Sequence, residues 1–176
     1  MYTKEGDQLE TRRLNHLDLS AIRELMLDVI SRLPSQELFA MDDERYFLDI
    51  LNGTGEVYGV FRKEELVAFS VLAFPGVSES NLGIEFGIPE RERSLVAALD
   101  STVVHESVRG LGLQRYFHEL RETRAKESGC LYLYSTVHPQ NHASIKNLEA
   151  AGFTLQFTRP MYGGKDRHCY MKRLSR

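Results

Sequence analysis

The stretch Val103-Val104-His105-Glu106-Ser107-Val108-Arg109-Gly110-Leu111-Gly112-Leu113-Gln114 carries the strongest structural signal in this chain. An apolar run typical of a strand leads into a turn with two glycines, and an amphipathic helical pattern begins directly after them. Glycine lets the backbone turn sharply and lets neighbouring N–H groups converge. A helix start adds N–H groups and a positive dipole end. The stretch therefore predicts an anion-binding loop, with Arg109 as a charged donor beside it.

Two other kinds of phosphate loop fit this stretch less well. A Walker loop requires Gly-Lys-Ser/Thr at its end, whereas Gly112 is followed by Leu113 and Gln114. A dinucleotide fingerprint requires a third glycine and an acidic residue on the next strand, and neither is in place. Binding of a nucleotide phosphate is therefore a weaker alternative, and a plain strand-to-helix turn without a ligand is another.

A second block follows the next predicted strand: Asn141-His142-Ala143-Ser144-Ile145-Lys146-Asn147-Leu148-Glu149-Ala150-Ala151-Gly152-Phe153. Together the two blocks resemble the GNAT superfamily of N-acetyltransferases. The acyl-CoA loop of that superfamily reads Gln/Arg-x-x-Gly-x-Gly/Ala, and its later block has Asn, then Ala/Ser three residues on, then Gly-Phe. The matching positions are Arg109, Gly112, Asn141, Ser144, Gly152 and Phe153.

The resemblance implies both a fold and an activity. The fold is mixed α/β (α+β), with a mostly antiparallel central sheet, helices on both faces, and a splay between the strands at residues 95–104 and 131–137. We expect a single domain over residues 1–176. Acetyl-CoA would be the cosubstrate and would enter the splay, where a primary amine of a small molecule or a protein would attack the thioester directly. No metal is required. The alternative is a non-catalytic module that binds or senses acyl-CoA.

The resemblance also assigns residues to the cosubstrate. The backbone of Val103 and Val104 would pair with the pantetheine arm, much as an added strand would. Asn141 and Asn147 would lie along the pantetheine and nucleotide side, with Ser144 a lesser candidate. The backbone N–H groups that would hold the pyrophosphate belong to Arg109, Gly110, Leu111, Gly112, Leu113 and Gln114.

Two positions depart from the family pattern. Gln114 stands where the loop pattern ends in a small residue, so its N–H group is retained but the close approach that Gly or Ala allows is in doubt. Leu148 stands where many members have a tyrosine that protonates the leaving thiolate. The usual general acid is therefore absent, and Tyr134 and Tyr162 are weak substitutes.

Asp100 is the best candidate for the general base. An amine with a pKa near about 10 is mostly protonated at neutral pH, so catalysis needs a group that removes its proton. Asp100 interrupts an apolar strand and shares a face with Ala98 and Thr102 by alternation. A structural aspartate is an equally good interpretation. His105 and His138 are weaker candidates, more typical of loop geometry and of a surface turn.

Outside these two blocks, the spacing of apolar residues predicts the remaining helices and strands. A first strand at residues 8–13 precedes an amphipathic helix from residue 19 to Pro34, with Asp18 as its N-cap, and a second helix at residues 42–51. A hairpin is expected at residues 56–62 and 66–74, and a terminal strand pair at 153–158 and 168–174. Between them, residues 75–93 read as a long loop with a short strand at 82–86, and we expect this loop to line the substrate site.

Composition excludes several classes of protein. The chain has 176 residues, 42% of them hydrophobic and 27% charged, as expected for a globular protein. A net charge of −3 does not favour nucleic acid or an anionic membrane as a partner. Cys130 and Cys169 form neither a metal-type pair nor a disulfide framework. With no secretory signal pattern and no membrane-spanning run, we expect a cytoplasmic protein, and the resemblance allows a homodimer.

The acceptor amine is not identified by the sequence. Acidic side chains in the early helices and the long loop would suit a cationic amine, although a solvated acidic face is the simpler interpretation. These side chains are Glu37, Asp42, Asp43, Glu44, Glu79 and Glu85.

Overall fold

A computed structural model describes residues 1–35, 43–161 and 163–175. Within them, the strands are β1 (Leu9–Arg13), β2 (Gly55–Arg62), β3 (Glu65–Ala73), β4 (Val96–Val104), β5 (Tyr132–Val137), β6 (Thr154–Met161) and β7 (Lys165–Arg173). The α-helices are α1 (Leu19–Ser31), α2 (Glu44–Asp49), α3 (Leu113–Glu127) and α4 (His142–Ala150). Short 3-10 helices span His16–Asp18, Glu90–Leu95 and Glu106–Val108.

The strands form a seven-stranded sheet in the order β1-β2-β3-β4-β5-β7-β6. The pairs β1–β2, β5–β7 and β6–β7 are antiparallel, whereas β4 and β5 are parallel. The predicted class, a mixed α/β fold with a mostly antiparallel sheet, is confirmed. Two compact units divide the chain: Met1–Val71 with Ser101–Phe117, and Leu72–Asp100 with His118–Arg176.

In the first unit, helix α1 buries the apolar face that the sequence predicts. Its buried side chains are Ile22, Leu25, Met26, Val29 and Ile30. Phe47 from α2 lies edge-on to Phe69 of β3, with ring centroids 5.8 Å apart. Such edge-to-face pairs add to the free energy gained by burying the two rings.

Asp18 occupies the N-cap position of α1, as the sequence predicts. Asp18 makes no side-chain cap bond to α1. Instead, the Asn15 side chain accepts the Leu17 N–H at 2.9 Å, and the Asp18 carboxylate accepts the Asn15 N–H at 2.9 Å, which closes a capping box around the preceding 3-10 turn. Arg12 also binds this carboxylate through two nitrogens, at 2.7 and 2.9 Å, and these bonds hold the pKa of Asp18 below its ordinary value.

In the second unit, the helices α3 and α4 cover one face of the sheet. Leu133 and Val137 of β5 share a buried cluster with Ala125 of α3 and Leu148 of α4. Lys172 of β7 fixes the helices at the same face, because its ammonium group donates both to the Glu122 carboxylate at 2.8 Å and to the Ala151 carbonyl oxygen at 2.8 Å. This face of the sheet is therefore buried beneath α3 and α4.

The opposite face of the second unit is covered by residues 75–93. The Phe86 ring lies 5.5 Å from the Tyr134 ring and 5.2 Å from the Phe157 ring. The short strand predicted at residues 82–86 is wrong, since these residues form turns. The buried Asn81 side chain explains the difference, because its amide bonds the Gly76 and Arg93 carbonyl oxygens at 2.8 Å and so closes the segment on itself.

The terminal hairpin is longer than the sequence predicts. The strands β6 and β7 pair from Thr154 opposite Met171 to Met161 opposite Lys165, with an irregularity between Leu155 and Phe157. None of the described helices is both long enough and apolar enough to cross a membrane.

Candidate functional site

The glycine turn after β4 has the conformation that an anion-binding loop needs. Gly110 and Gly112 adopt φ angles of +78° and +79°, a left-handed region that L side chains rarely adopt. No described heavy atom lies within 4 Å of a Cβ placed at either residue, so the backbone conformation, rather than crowding, requires glycine. The Tyr116 N–H donates to the Gly112 carbonyl oxygen at 3.0 Å, and α3 therefore begins directly at the turn.

The segment before this turn is held by side chains of the first unit. The His105 Nδ1 accepts the Ser107 N–H at 3.1 Å and caps the 3-10 helix Glu106–Val108. His105 Nε2 lies 3.4 Å from the Asp28 carboxylate, and Arg32 of the same region donates to Glu106 at 2.6 Å. This agrees with the prediction that His105 serves loop geometry.

Val103 and Val104 lie at the end of β4, next to β3. Val103 is buried and Val104 is half-buried. The His105 N–H donates to the Val67 carbonyl oxygen at 2.9 Å, and the Ser70 and Thr102 hydroxyls are 2.8 Å apart. One edge of this strand end is therefore hydrogen-bonded to β3. Arg109, four residues after His105, is exposed.

In the second unit, Asn141 has a structural role that the sequence did not suggest. Its side chain accepts the Ser144 N–H at 3.3 Å and caps α4. Ser144 and Asn147 are half-buried on the same helix. Leu148 is 2% exposed and belongs to the core cluster, so a tyrosine side chain would not fit there without rearrangement.

Asp100 is half-buried at the point where β4 and β5 stop pairing. Their parallel ladder covers Val96–Ala98 and Tyr132–Tyr134 only. Beyond it, side chains bind the β4 carbonyl oxygens: Ser135 Oγ donates to Leu99 at 3.1 Å, and Arg121 Nη1 donates to Asp100 at 3.1 Å. The backbone that carries the candidate base is thus fixed by α3 and β5.

Arg121 is the residue that the sequence interpretation missed. It is 1% exposed, although arginine is rarely buried unless it is paired. A signal was present, because Leu113, Phe117, Arg121 and Ala125 recur every four residues on one stripe of α3, and three of them are apolar. A charged residue within a buried stripe indicates a specific polar contact.

The remaining candidates have structural partners or fall outside the described residues. His138 Nδ1 accepts the Gln140 N–H at 3.0 Å, as expected for a surface turn, and the Tyr134 hydroxyl donates to the Ser80 carbonyl oxygen at 3.1 Å. Glu85, predicted to attract a cationic amine, is paired with Arg159 at 3.0 Å. Glu37, Asp42 and Tyr162 lie outside the described residues.

Burial makes both thiols poor nucleophiles. It raises the pKa of Cys130 and of Cys169 above the ordinary value, and both side chains are buried. In the described ranges, no group of three or more His, Cys, Asp or Glu side chains is arranged to hold a metal ion.

Comparison with known proteins supports one family. The model of the acetyltransferase (GNAT) family matches residues 21–153. Among solved structures, the chain is similar to the ribosomal-protein-S18-alanine N-acetyltransferase of Escherichia coli, with 18% identity, a TM-score of 0.69 and 96% of each chain covered.

Two further structures have the same fold. YncA of Salmonella typhimurium, solved with its cofactor acetyl-CoA, has 16% identity and a TM-score of 0.72, with 96% of this chain and 95% of that chain covered. A ribosomal-protein-alanine N-acetyltransferase of Brucella melitensis has 19% identity and a TM-score of 0.71, with 94% and 99% covered. No curated protein sequence matches the chain.

Proposed function

Because the chain belongs to the acetyltransferase (GNAT) family and is thereby an acyl-CoA-dependent acyltransferase, we propose that it transfers an acetyl group from acetyl-CoA to a primary amine. The observation that carries this proposal is the glycine turn. Gly110 and Gly112 are left-handed, Arg109 is exposed beside them, and α3 begins directly after them. Such a turn directs N–H groups and a helix dipole at one point, which suits a pyrophosphate.

We assign the cosubstrate to this turn and to the strand before it. The N–H groups of residues 110–114 would bind the pyrophosphate, and the backbone of Val103 and Val104 would align the pantetheine amides. The Arg109 N–H, expected to join them, donates instead to the Glu106 carbonyl oxygen at 3.3 Å and closes the 3-10 helix. Acetyl-CoA supplies an activated acyl carbonyl with a thiolate leaving group. Asn141 supports the proposal less directly, because its side chain is engaged as the cap of α4.

We assign to Asp100 the role of general base, which accepts the proton of the acceptor amine. Its carboxylate would accept a proton directly or through water, which leaves a neutral amine able to attack. The Arg121 bond to its carbonyl oxygen limits movement of the backbone there. Thiolate is a tolerable leaving group, so the absence of a tyrosine at Leu148 does not prevent the reaction.

Thermal unfolding with and without saturating acetyl-CoA, with ATP as the control, tests the cosubstrate. Ligand at about 100 times its Kd adds about 2.7 kcal/mol to the free energy of unfolding. For a domain of this size the midpoint should rise by roughly 5–10 °C. A rise with acetyl-CoA but not with ATP supports the proposal, and an equal rise with both indicates a general phosphate site. No rise rules out acetyl-CoA as the ligand.

A second candidate function is an acyl-CoA-binding module without turnover. The buried Leu148 favours it, since the position used by many relatives for the general acid is part of the core. Release of the CoA thiol in the presence of a panel of amines separates the two. Acetyl-CoA binding without any amine-dependent thiol release would support the non-catalytic module.

A further inference from the structure

Strands β4 and β5 stop pairing with each other although neither strand ends there. Their parallel ladder ends with Ala98 opposite Tyr134. Strand β4 continues to Val104, and β5 continues to Val137 with its pairing to β7 intact. The separation of the two strands is therefore not caused by a frayed strand end, and side chains at the point of separation have to account for it.

Ser135 is the first residue of β5 beyond this ladder, and its side chain binds β4. Its hydroxyl donates to the Leu99 carbonyl oxygen at 3.1 Å. Leu133 and Val137, two residues away on either side, share its face of β5 and belong to the buried cluster under the helices. Ser135 is thus a polar residue in an otherwise apolar stripe, and its hydroxyl binds across to β4 where the backbone ladder has stopped.

Helix α3 contributes a second side chain of this kind. Arg121 lies in a stripe of the helix between Phe117 and Ala125, which are fully buried. Its guanidinium donates to the Asp100 carbonyl oxygen at 3.1 Å. Two polar side chains, each within an apolar stripe, therefore bind two consecutive carbonyl oxygens of β4. Because a buried polar group lowers stability unless it is hydrogen-bonded, this convergence indicates a specific role at that point of the strand.

The two carbonyl oxygens belong to the peptide groups on either side of Asp100. A peptide group is planar, so the bond from Ser135 fixes the plane that contains the Asp100 N–H, and the bond from Arg121 fixes the plane that follows Asp100. The φ and ψ angles of Asp100 are the angles between its Cα and these two planes. The direction in which the Asp100 side chain leaves the backbone is therefore set by both bonds.

We propose that Ser135 is a positioning residue for the general base, and that it acts with Arg121 to hold the Asp100 carboxylate where it accepts the proton of the acceptor amine. The inference rests on the proposed acyl transfer and assigns a role to a residue outside both motif blocks. The proton passes from the ammonium nitrogen to a carboxylate oxygen of Asp100, and the electron pair left on the nitrogen attacks the acyl carbonyl. Ser135 itself neither gains nor loses a proton.

Removal of the hydroxyl tests this role through CoA thiol release, with spermidine, L-lysine or trialanine as the acceptor. Ser135→Ala should lower kcat at neutral pH at least about tenfold, while the Kd for acetyl-CoA stays within about twofold. Ser135→Thr retains the hydroxyl and should restore kcat. Thr123→Ala removes an exposed hydroxyl that donates to the Glu119 carbonyl oxygen at 2.9 Å, and this matched control should change neither quantity. Unchanged kcat in Ser135→Ala would overturn the inference.

The pH dependence of kcat/KM separates a displaced base from a general structural loss. A primary amine with a pKa near about 10 needs the base at neutral pH, but at a pH near about 10 much of it is already neutral. A displaced Asp100 therefore predicts that the ratio of kcat/KM between the wild type and Ser135→Ala falls toward one as the pH rises. A purely structural role of the hydroxyl predicts a ratio that does not fall with pH, and that result would refute the proposal.

Hydrogen exchange keeps this inference separate from the proposed function, because it needs no acceptor. In Ser135→Ala the amides of residues 99–101 should exchange at least about fivefold faster than in the wild type, whereas Ser135→Thr and Thr123→Ala should match the wild type. Unchanged exchange at these residues would overturn the inference whatever the turnover. Faster exchange with wild-type kcat would also overturn it and would leave acyl transfer standing. Thiol release from the wild type with none of the acceptors would count against acyl transfer itself.

Discussion

The Arg121 guanidinium donates a hydrogen bond to the Asp100 carbonyl oxygen at 3.1 Å. The donor is a buried arginine in the middle of α3, and the acceptor belongs to β4 just after its ladder with β5 ends. Helix α3 therefore determines the position of the backbone that carries the candidate base. The same helix begins at the glycine turn, where the Tyr116 N–H donates to the Gly112 carbonyl oxygen at 3.0 Å.

Replacing Arg121 with methionine should destabilise the protein. The Asp100 carbonyl oxygen would lose its bond in a buried setting, and we expect the free energy of unfolding to fall by about 1–3 kcal/mol. Arg124→Met on the same helix is the control, because its ion pair with Glu127 is partly exposed and should contribute little. Urea unfolding measures both. If the free energy of unfolding falls equally in the two variants, the bond to Asp100 contributes no more to stability than a partly exposed ion pair.

Replacing Asp100 with asparagine should impair turnover without impairing cosubstrate binding. The amide cannot accept the proton of the amine, so we expect kcat/KM to fall at least about tenfold at neutral pH, while the Kd for acetyl-CoA stays within about twofold. Asp49→Asn, on an exposed part of α2, is the control. Unchanged turnover in the Asp100 variant would remove this residue from the mechanism.

Replacing Gly112 with alanine should weaken acetyl-CoA binding. An L residue at a φ of +79° costs about 1–2 kcal/mol, and relief of this strain would rotate the N–H groups at the start of α3. Gly129, with a φ of +82° and open space around it, is a matched control for the stability cost. Both variants should lower the unfolding midpoint, but only Gly112→Ala should raise the Kd. An equal change in Kd would contradict the assigned role.

Protein stability should depend on the protonation of His118. This side chain is 7% exposed, and within the described residues neither ring nitrogen has a hydrogen-bond partner. Burial, with the nearby Arg121 charge, lowers the pKa of His118 from 6.5 to about 3. The unfolded chain therefore binds the proton more readily than the folded one. The free energy of unfolding is highest above pH 6.5 and falls as the pH decreases toward 3.

Urea unfolding at pH 7 and pH 4.5 measures this dependence. We expect His118 to account for a loss of about 2–3 kcal/mol across that interval. His118→Leu should reduce the loss by that amount, whereas His142→Leu, at an exposed position, should retain it. If the His118 variant loses stability as steeply as the wild type, the acid sensitivity arises from other groups.

Local sequence patterns determined the elements and the glycine turn. The spacing of apolar residues predicted α1 and α3, and the two glycines predicted a left-handed turn at the start of a helix, since these features depend on residues close together in the chain. The same locality explains the errors. Residues 82–86 have the composition of a strand, but their conformation follows from the bonds that Asn81 makes to Gly76 and Arg93.

The tertiary structure alone decided which polar groups meet. The bond from Arg121 to Asp100 joins residues 21 positions apart, and the pair of Arg159 with Glu85 joins residues 74 apart. Periodicity shows that a side chain faces inward, but the partner it meets depends on strand order and register. For that reason the sequence identified a family and a cosubstrate loop, whereas the buried arginine behind the candidate base and the ion pair of Arg159 with Glu85 emerged only from the folded chain.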